Sequence, residues 1–187
     1  MTKIHFEGPR REQLLGAALR VLTAQNVEDP DWLARELLCR CLGFSRVELQ
    51  LHLDAEVSAE EQQHFADWLQ RFAAGEPLAY LEGSCGFYGR EFAVDARVLV
   101  PRPDSESLIE AALALCDPTE AIQLADVGTG SGCLLLTLLA ELPAARGVGI
   151  DLSGEALQVA WQNREALGLT GRCELVQGSW LSPLAAD

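Results

Sequence analysis

Leu124-Ala125-Asp126-Val127-Gly128-Thr129-Gly130-Ser131-Gly132-Cys133 decides the fold of this chain. An apolar run from Ile122 to Val127 has the length and flanks of a buried strand. Three glycines two residues apart follow, and an apolar stretch from Cys133 to Leu142 then reads as a helix. A second apolar run, Gly147 to Ile150, ends at the acidic Asp151. Strand, glycine turn, helix and an acid-tipped second strand are the parts, in order, of a fold that binds a nucleoside-containing ligand. The alternation continues with a helix from Gly154 to Leu167 and a short strand from Cys173 to Val176. An α/β architecture with a parallel sheet is therefore expected over this half.

Upstream the pattern is different. The first ~75 residues read as helices, by the spacing of their apolar positions. Leu14, Leu15, Ala18, Leu19 and Leu22 form one apolar stripe; Trp32, Leu33, Leu37, Leu38, Cys41 and Leu42 form another. Asp29-Pro30 is a cap followed by a first-turn proline, and Gly43 is the matching stop. Ser45 can cap a short helix to His52. Ser58 and Glu61 make a capping box ahead of Phe65, Trp68, Leu69 and Phe72, and Gly75 ends that helix. From Gly83 to Val100 the pattern becomes short and strand-like, with a β-hairpin expected over Phe87 to Val94. The prolines of Val100-Pro101-Arg102-Pro103-Asp104-Ser105-Glu106 fix an extended segment. Asp104 or Ser105 is placed to cap a helix running to Leu115. The expected domains are a helical domain at 1–75, a hairpin linker at 76–100 and an α/β domain at 101–187.

Composition narrows the function. The 187 residues are 49% hydrophobic and 22% charged, which is globular. Lys and Arg number 14 against 28 Asp and Glu, for a net charge of −14. No basic stripe is present, so direct nucleic-acid binding is not expected. No apolar run reaches the ~18 residues of a membrane span, and the first residues lack a secretory pattern. The six cysteines are scattered without a Cys-x-x-Cys pair. Cys39 and Cys41 face different directions on a helix, so reduced core thiols in a cytoplasmic protein are expected. The three histidines are isolated, and no metal-ligand spacing occurs.

The glycine loop admits three nucleotide-type readings. A P-loop requires a lysine that is not there. A dinucleotide fingerprint requires a third glycine where Cys133 stands. The pattern Asp-x-Gly-x-Gly-x-Gly, that of class I methyltransferases using S-adenosyl-L-methionine, is met in full by Asp126, Gly128, Gly130 and Gly132. Asp151 can accept both hydroxyls of a ribose; alternatively it is a surface residue capping the helix at Gly154. Asp126 is either a strand-end carboxylate beside the ligand or a turn residue.

Beyond this loop the chain resembles the peptide chain release factor glutamine methyltransferases, the HemK family, over nearly its whole length. The resemblance is carried by the helical domain and by Glu76-Pro77-Leu78-Ala79-Tyr80-Leu81-Glu82-Gly83. It is carried also by Phe87-Tyr88-Gly89-Arg90-Glu91-Phe92, by the run Val100 to Glu106 and by the loop Asp126 to Gly132. It implies an N-terminal helical bundle that recognises substrate, a β-hairpin linker and the first half of a class I, Rossmann-like methyltransferase domain. It implies methyl transfer from S-adenosyl-L-methionine to the side-chain amide of the glutamine in the Gly-Gly-Gln motif of release factors. Asp126, Gly128, Thr129, Gly130, Ser131, Gly132 and Asp151 would hold the cofactor and Trp180 would lie against the adenine. Pro101, Arg102 and Pro103 would sit near the substrate. Release factors would be the partners, with no nucleic acid, membrane or metal, and a monomer is expected at full length.

Two departures stand out. Ser179 precedes Trp180 where the family often has an acid. The family's catalytic Asn-Pro-Pro-Tyr, expected after a fourth strand, does not occur in the sequence. The chain is therefore read as a fragment without catalytic residues, and the strand Ile122–Val127 as an open edge. The alternatives are a methyltransferase for another protein glutamine or a nucleobase, and a noncatalytic module that binds a cofactor or partner.

Overall fold

The computed structural model describes Ile4 and residues 6–184. The chain divides into two compact units, Met1–Glu82 and Gly83–Asp187.

The first unit is helical: α1 (Arg11–Ala24), α2 (Pro30–Leu42), α3 (Arg46–Leu51), α4 (Ala59–Ala73) and the short α5 (Leu78–Glu82). Its boundaries follow from the caps. The Asp29 carboxylate accepts the Trp32 amide at 3.2 Å, and Pro30 needs no partner for a first-turn N–H. Gly43 ends α2 at φ 73°, a left-handed stop that a side chain would strain. Ser45 with Glu48, and Ser58 with Glu61, close reciprocal capping boxes on α3 and α4. The apolar stripes then meet: Leu14, Leu22, Leu37, Leu38, Phe65 and Leu69 are buried in one core. Sequence periodicity does not foresee α5, which occupies the family-like Glu76–Gly83 stretch.

The second unit opens with an antiparallel hairpin of β1 (Ser84–Phe87) and β2 (Arg90–Ala93). Its two-residue turn places Tyr88 and Gly89 at φ 48° and 69°. Positive φ at both positions is the geometry whose twist matches the flanking strands, at a cost for tyrosine. That cost is met by neighbours. The Tyr88 amide donates to Glu106 at 2.8 Å, and Arg90 donates to the Tyr88 carbonyl at 3.0 Å while also pairing with Glu141.

The expectation that Asp104 or Ser105 caps the following helix by its side chain is not met. Pro103–Ser105 form a 3-10 turn that runs directly into α6 (Glu106–Leu115), and neither residue makes a side-chain cap. A proline that fixes φ has already begun the turn, leaving no extended cap residue.

The sheet is parallel, in the order β3 (Gln123–Val127), β4 (Arg146–Asp151), β5 (Cys173–Gln177). Its crossovers are α7 (Cys133–Glu141) and α8 (Gly154–Ala166). Leu124 pairs in register with Gly147, and Asp126 with Gly149. Glycine at 147 has a packing reason: an added Cβ would stand 2.6 Å from Leu135 of α7. Leu135, Leu136 and Leu139 of α7 are buried with Ile109, Phe87 and Phe92 in the core of this unit. Among the described residues β3 pairs only with β4, so its outer edge is open, and Val127 is exposed there.

Candidate functional site

The parallel register brings the carboxyl ends of β3 and β4 side by side, and the glycine loop leaves from that end. Gly128, Gly130 and Gly132 all have positive φ, at 81°, 54° and 81°. At Gly128 and Gly130 an added Cβ would meet nothing within 4 Å, so open space lies before a bare backbone. Gly132 is tighter: its Cβ would lie 2.9 Å from Leu136.

Hydrogen bonds fix the loop almost peptide by peptide. The amides of Gly128 and Thr129 both donate to the Ile150 carbonyl, at 2.8 and 3.0 Å. The Gly132 amide donates to the Thr129 carbonyl at 2.8 Å. Thr129 and Ser131 are buried, so their role here is in the wall of the loop. The Thr129 hydroxyl donates to the Asp126 carboxylate at 2.8 Å.

Asp151 reaches across from β4. One of its oxygens accepts the Gly130 amide at 2.9 Å, and the other accepts the Ser153 amide at 2.9 Å. Each oxygen keeps a further lone pair, so the carboxylate is held in place and still able to accept. Ser153, not Asp151, caps α8, accepting the Ala156 amide at 3.1 Å. Asp126 is the second acid. Burial pushes its carboxyl above the ordinary range, the hydrogen bonds from Thr129 and the Leu135 amide oppose this, and the Asp151 charge adds to it. No basic side chain occurs between Gln123 and Ala145, and Arg146 begins β4 at the opposite end from Asp151. Carboxylates on two sides and no cation make a poor pocket for a polyphosphate. The same set suits a ligand that joins a positive charge to a carboxylate and a ribose.

Other sequence-predicted residues stand apart from this set. The Gly178 amide donates to the Asp151 carbonyl at 3.0 Å, which ties the segment after β5 to the same sheet end. Trp180 follows at φ 52° with its side chain 80% exposed. Pro101 is buried, whereas Arg102 and Pro103 are exposed. The Arg102 side chain carries no ion pair or hydrogen bond among the described residues. Glu106, read in the sequence only as part of the Pro-Arg-Pro run, is the residue that holds the hairpin turn.

Sequence reasoning missed Asn163. It is buried on α8 and bonded both to β2 and to the loop. Its one signal was an amide on an otherwise apolar helix face, beside Val159 and Ala160. All six cysteines are thiols, three of them buried; burial pushes Cys41 up to about 12 and Cys173 up to about 11. Among the described residues no cluster of three or more His, Cys, Asp or Glu side chains could hold a metal ion. No helix there is long and apolar enough to cross a membrane.

Residues 13–83 match the PrmC N-terminal domain, and residues 118–187 match a methyltransferase domain. The release factor glutamine methyltransferase of Moorella thermoacetica is 42% identical over 172 residues, covering 92% of this chain and 61% of that protein. That of Cereibacter sphaeroides is 40% identical over 173 residues, with the same two shares. The chain thus spans about three fifths of the length of these curated relatives. A solved structure, the C-terminal domain of precorrin-6Y C5,15-methyltransferase from Rhodobacter capsulatus, is similar at 25% identity and a TM-score of 0.41. It covers 51% of this chain and 48% of that one, a likeness too loose to carry argument. The chain thus joins a PrmC-type N-terminal domain to a methyltransferase domain, and over nearly its whole length it is similar to release factor glutamine methyltransferases.

Proposed function

We propose that this chain binds S-adenosyl-L-methionine on the loop Asp126–Gly132 and serves methyl transfer to the glutamine amide of the Gly-Gly-Gln motif in release factors. The observation that carries the reading is the glycine loop without a cation, flanked by Asp126 and Asp151. A sulfonium and an ammonium are favoured between two carboxylates, where a pyrophosphate would be repelled. The open backbone at Gly128 and Gly130 admits the ligand. Asp151, fixed by two amides, offers its remaining lone pairs to the ribose hydroxyls. Trp180, exposed beyond β5, is assigned to the adenine. The segment Pro101-Arg102-Pro103 is assigned to the substrate side.

When bound, the cofactor supplies an electrophilic methyl group on a positively charged sulfur. This chain's residues bind and orient it. A glutamine amide is a weak nucleophile, because its lone pair is delocalised, and must be positioned by acceptors for its N–H groups. The family's Asn-Pro-Pro-Tyr would provide them, and the motif is not in this sequence. The assigned role of these 187 residues is therefore cofactor binding and partner recognition, in the cytoplasm where release factors act. The names of the relatives, release factor glutamine methyltransferases, support the substrate.

Calorimetric titration of the purified chain tests this. Saturable one-site binding of S-adenosyl-L-methionine is expected, with at least ~10-fold weaker binding by Asp151→Ala, as befits loss of charge-assisted hydrogen bonds. A folded chain that binds NAD or ATP instead, or that binds none of them, overturns the reading.

A further inference from the structure

Asn163 is 2% exposed, and every polar atom of its side chain is used. Its Oδ1 accepts the Ala93 amide at 2.7 Å, and its Nδ2 donates to the Ala93 carbonyl at 3.0 Å and the Ser131 carbonyl at 2.9 Å. The partners dictate the residue type. One donor and two carbonyl acceptors surround it, so only an amide, in one of its two flips, satisfies all three. An aspartate would set an oxygen against two carbonyls.

The consequence lies in the loop. The Ser131–Gly132 peptide is held at its carbonyl by Asn163 and at its N–H by the Thr129 carbonyl. Fixing that peptide plane fixes the end of the glycine loop at the point where α7 begins. The same side chain grips Ala93, the last residue of β2, on the chain path that leads to Pro101. A single buried amide thus bolts the glycine loop to the hairpin.

We propose that Asn163 is a positioning residue for cofactor binding, and that through it the occupied loop rigidifies the β1–β2 hairpin. The inference rests on the assignment of the loop to S-adenosyl-L-methionine. Coupling of this kind requires that ordering one partner lowers the cost of ordering the other.

The test uses the whole chain and S-adenosylhomocysteine as probe. Asn163→Asp is expected to weaken calorimetric binding by ten-fold or more. Leu139→Ala, a cavity variant in the same core with no bond to the loop, should lower the melting temperature while leaving affinity per folded molecule near wild type. In the wild type, adding the probe should slow amide hydrogen exchange at Ala93 and along the hairpin, and that readout holds even if Asn163→Asp fails to fold. Wild-type affinity in Asn163→Asp, equal weakening in Leu139→Ala, or hairpin exchange unchanged by the probe overturns the inference and leaves the cofactor assignment standing. If the wild type does not bind the probe at all, the cofactor assignment and this inference fall together.

Discussion

The two units of this chain spend their polar groups differently. In the helical unit most lie at helix ends and toward the surface: Asp29, Ser45 and Ser58 cap, and Arg35–Asp31 and Arg71–Glu76 are ion pairs, with the buried Arg11 Nε an exception. In the α/β unit polar groups go inside. Asn163, Arg164, Thr129, Ser131 and Thr137 are buried, the Thr137 hydroxyl without a partner, and a carboxyl with a raised pKa stands beside a run of left-handed glycines. The first arrangement is what local stability asks for; the second stores cost beside the loop to which the cofactor is proposed to bind.

The comparison can be broken first in the helical core. Phe65→Ala should cost about 3–5 kcal/mol, since a fully buried ring is removed from between α1, α2 and α4. Chemical denaturation should show the helical unit melting early. If both units melt together, they are not energetically separate.

Next come the glycines. Gly43→Ala and Gly132→Ala both force alanine into left-handed backbone, a cost of about 1–2 kcal/mol. Only at Gly132 does the new methyl also collide, with Leu136, so that variant should lose more. Equal losses by calorimetry would mean that the loop is no tighter than an ordinary helix stop.

A smaller effect is expected from Ser58→Ala, about 1 kcal/mol, because one capping box is lost from the exposed start of α4. The loss should be seen without any change in cofactor affinity.

The smallest has the opposite sign. The folded Asp126 holds its proton more tightly than an unfolded aspartate, so its ionisation erodes stability as pH rises from the ordinary carboxylate range through its raised folded value. Asp126→Asn, which can still accept from Thr129, should stabilise the ligand-free protein at neutral pH. It should also flatten that pH dependence and weaken cofactor binding. A destabilised variant at neutral pH would show that the ionised acid is favourable where it stands.

What the sequence revealed follows the same division. Caps and stops act within a turn or two, so Asp29, Gly43, Ser45 and Ser58 could be read directly, as could the strand–loop–helix rhythm from Gln123 to Gln177. The glycine loop and its two acids were legible because their spacing is set by one crossover. Glu106 and Asn163 were not, since their partners, Tyr88 and Ala93, lie far off in sequence and only tertiary structure joins them. The failed cap at Ser105 belongs here too: a proline turn pre-empted it.

The parallel order β3–β4–β5 has a further consequence, for the time course of folding. Each strand must wait for a whole crossover helix before it finds its neighbour, whereas α1 to α4 join neighbours a short loop away. During synthesis the bundle can close while the sheet is still emerging, so the unit with the proposed cofactor site is the later and slower to mature. A cofactor present at that moment would act as a late arrest, drawing the nascent sheet into register.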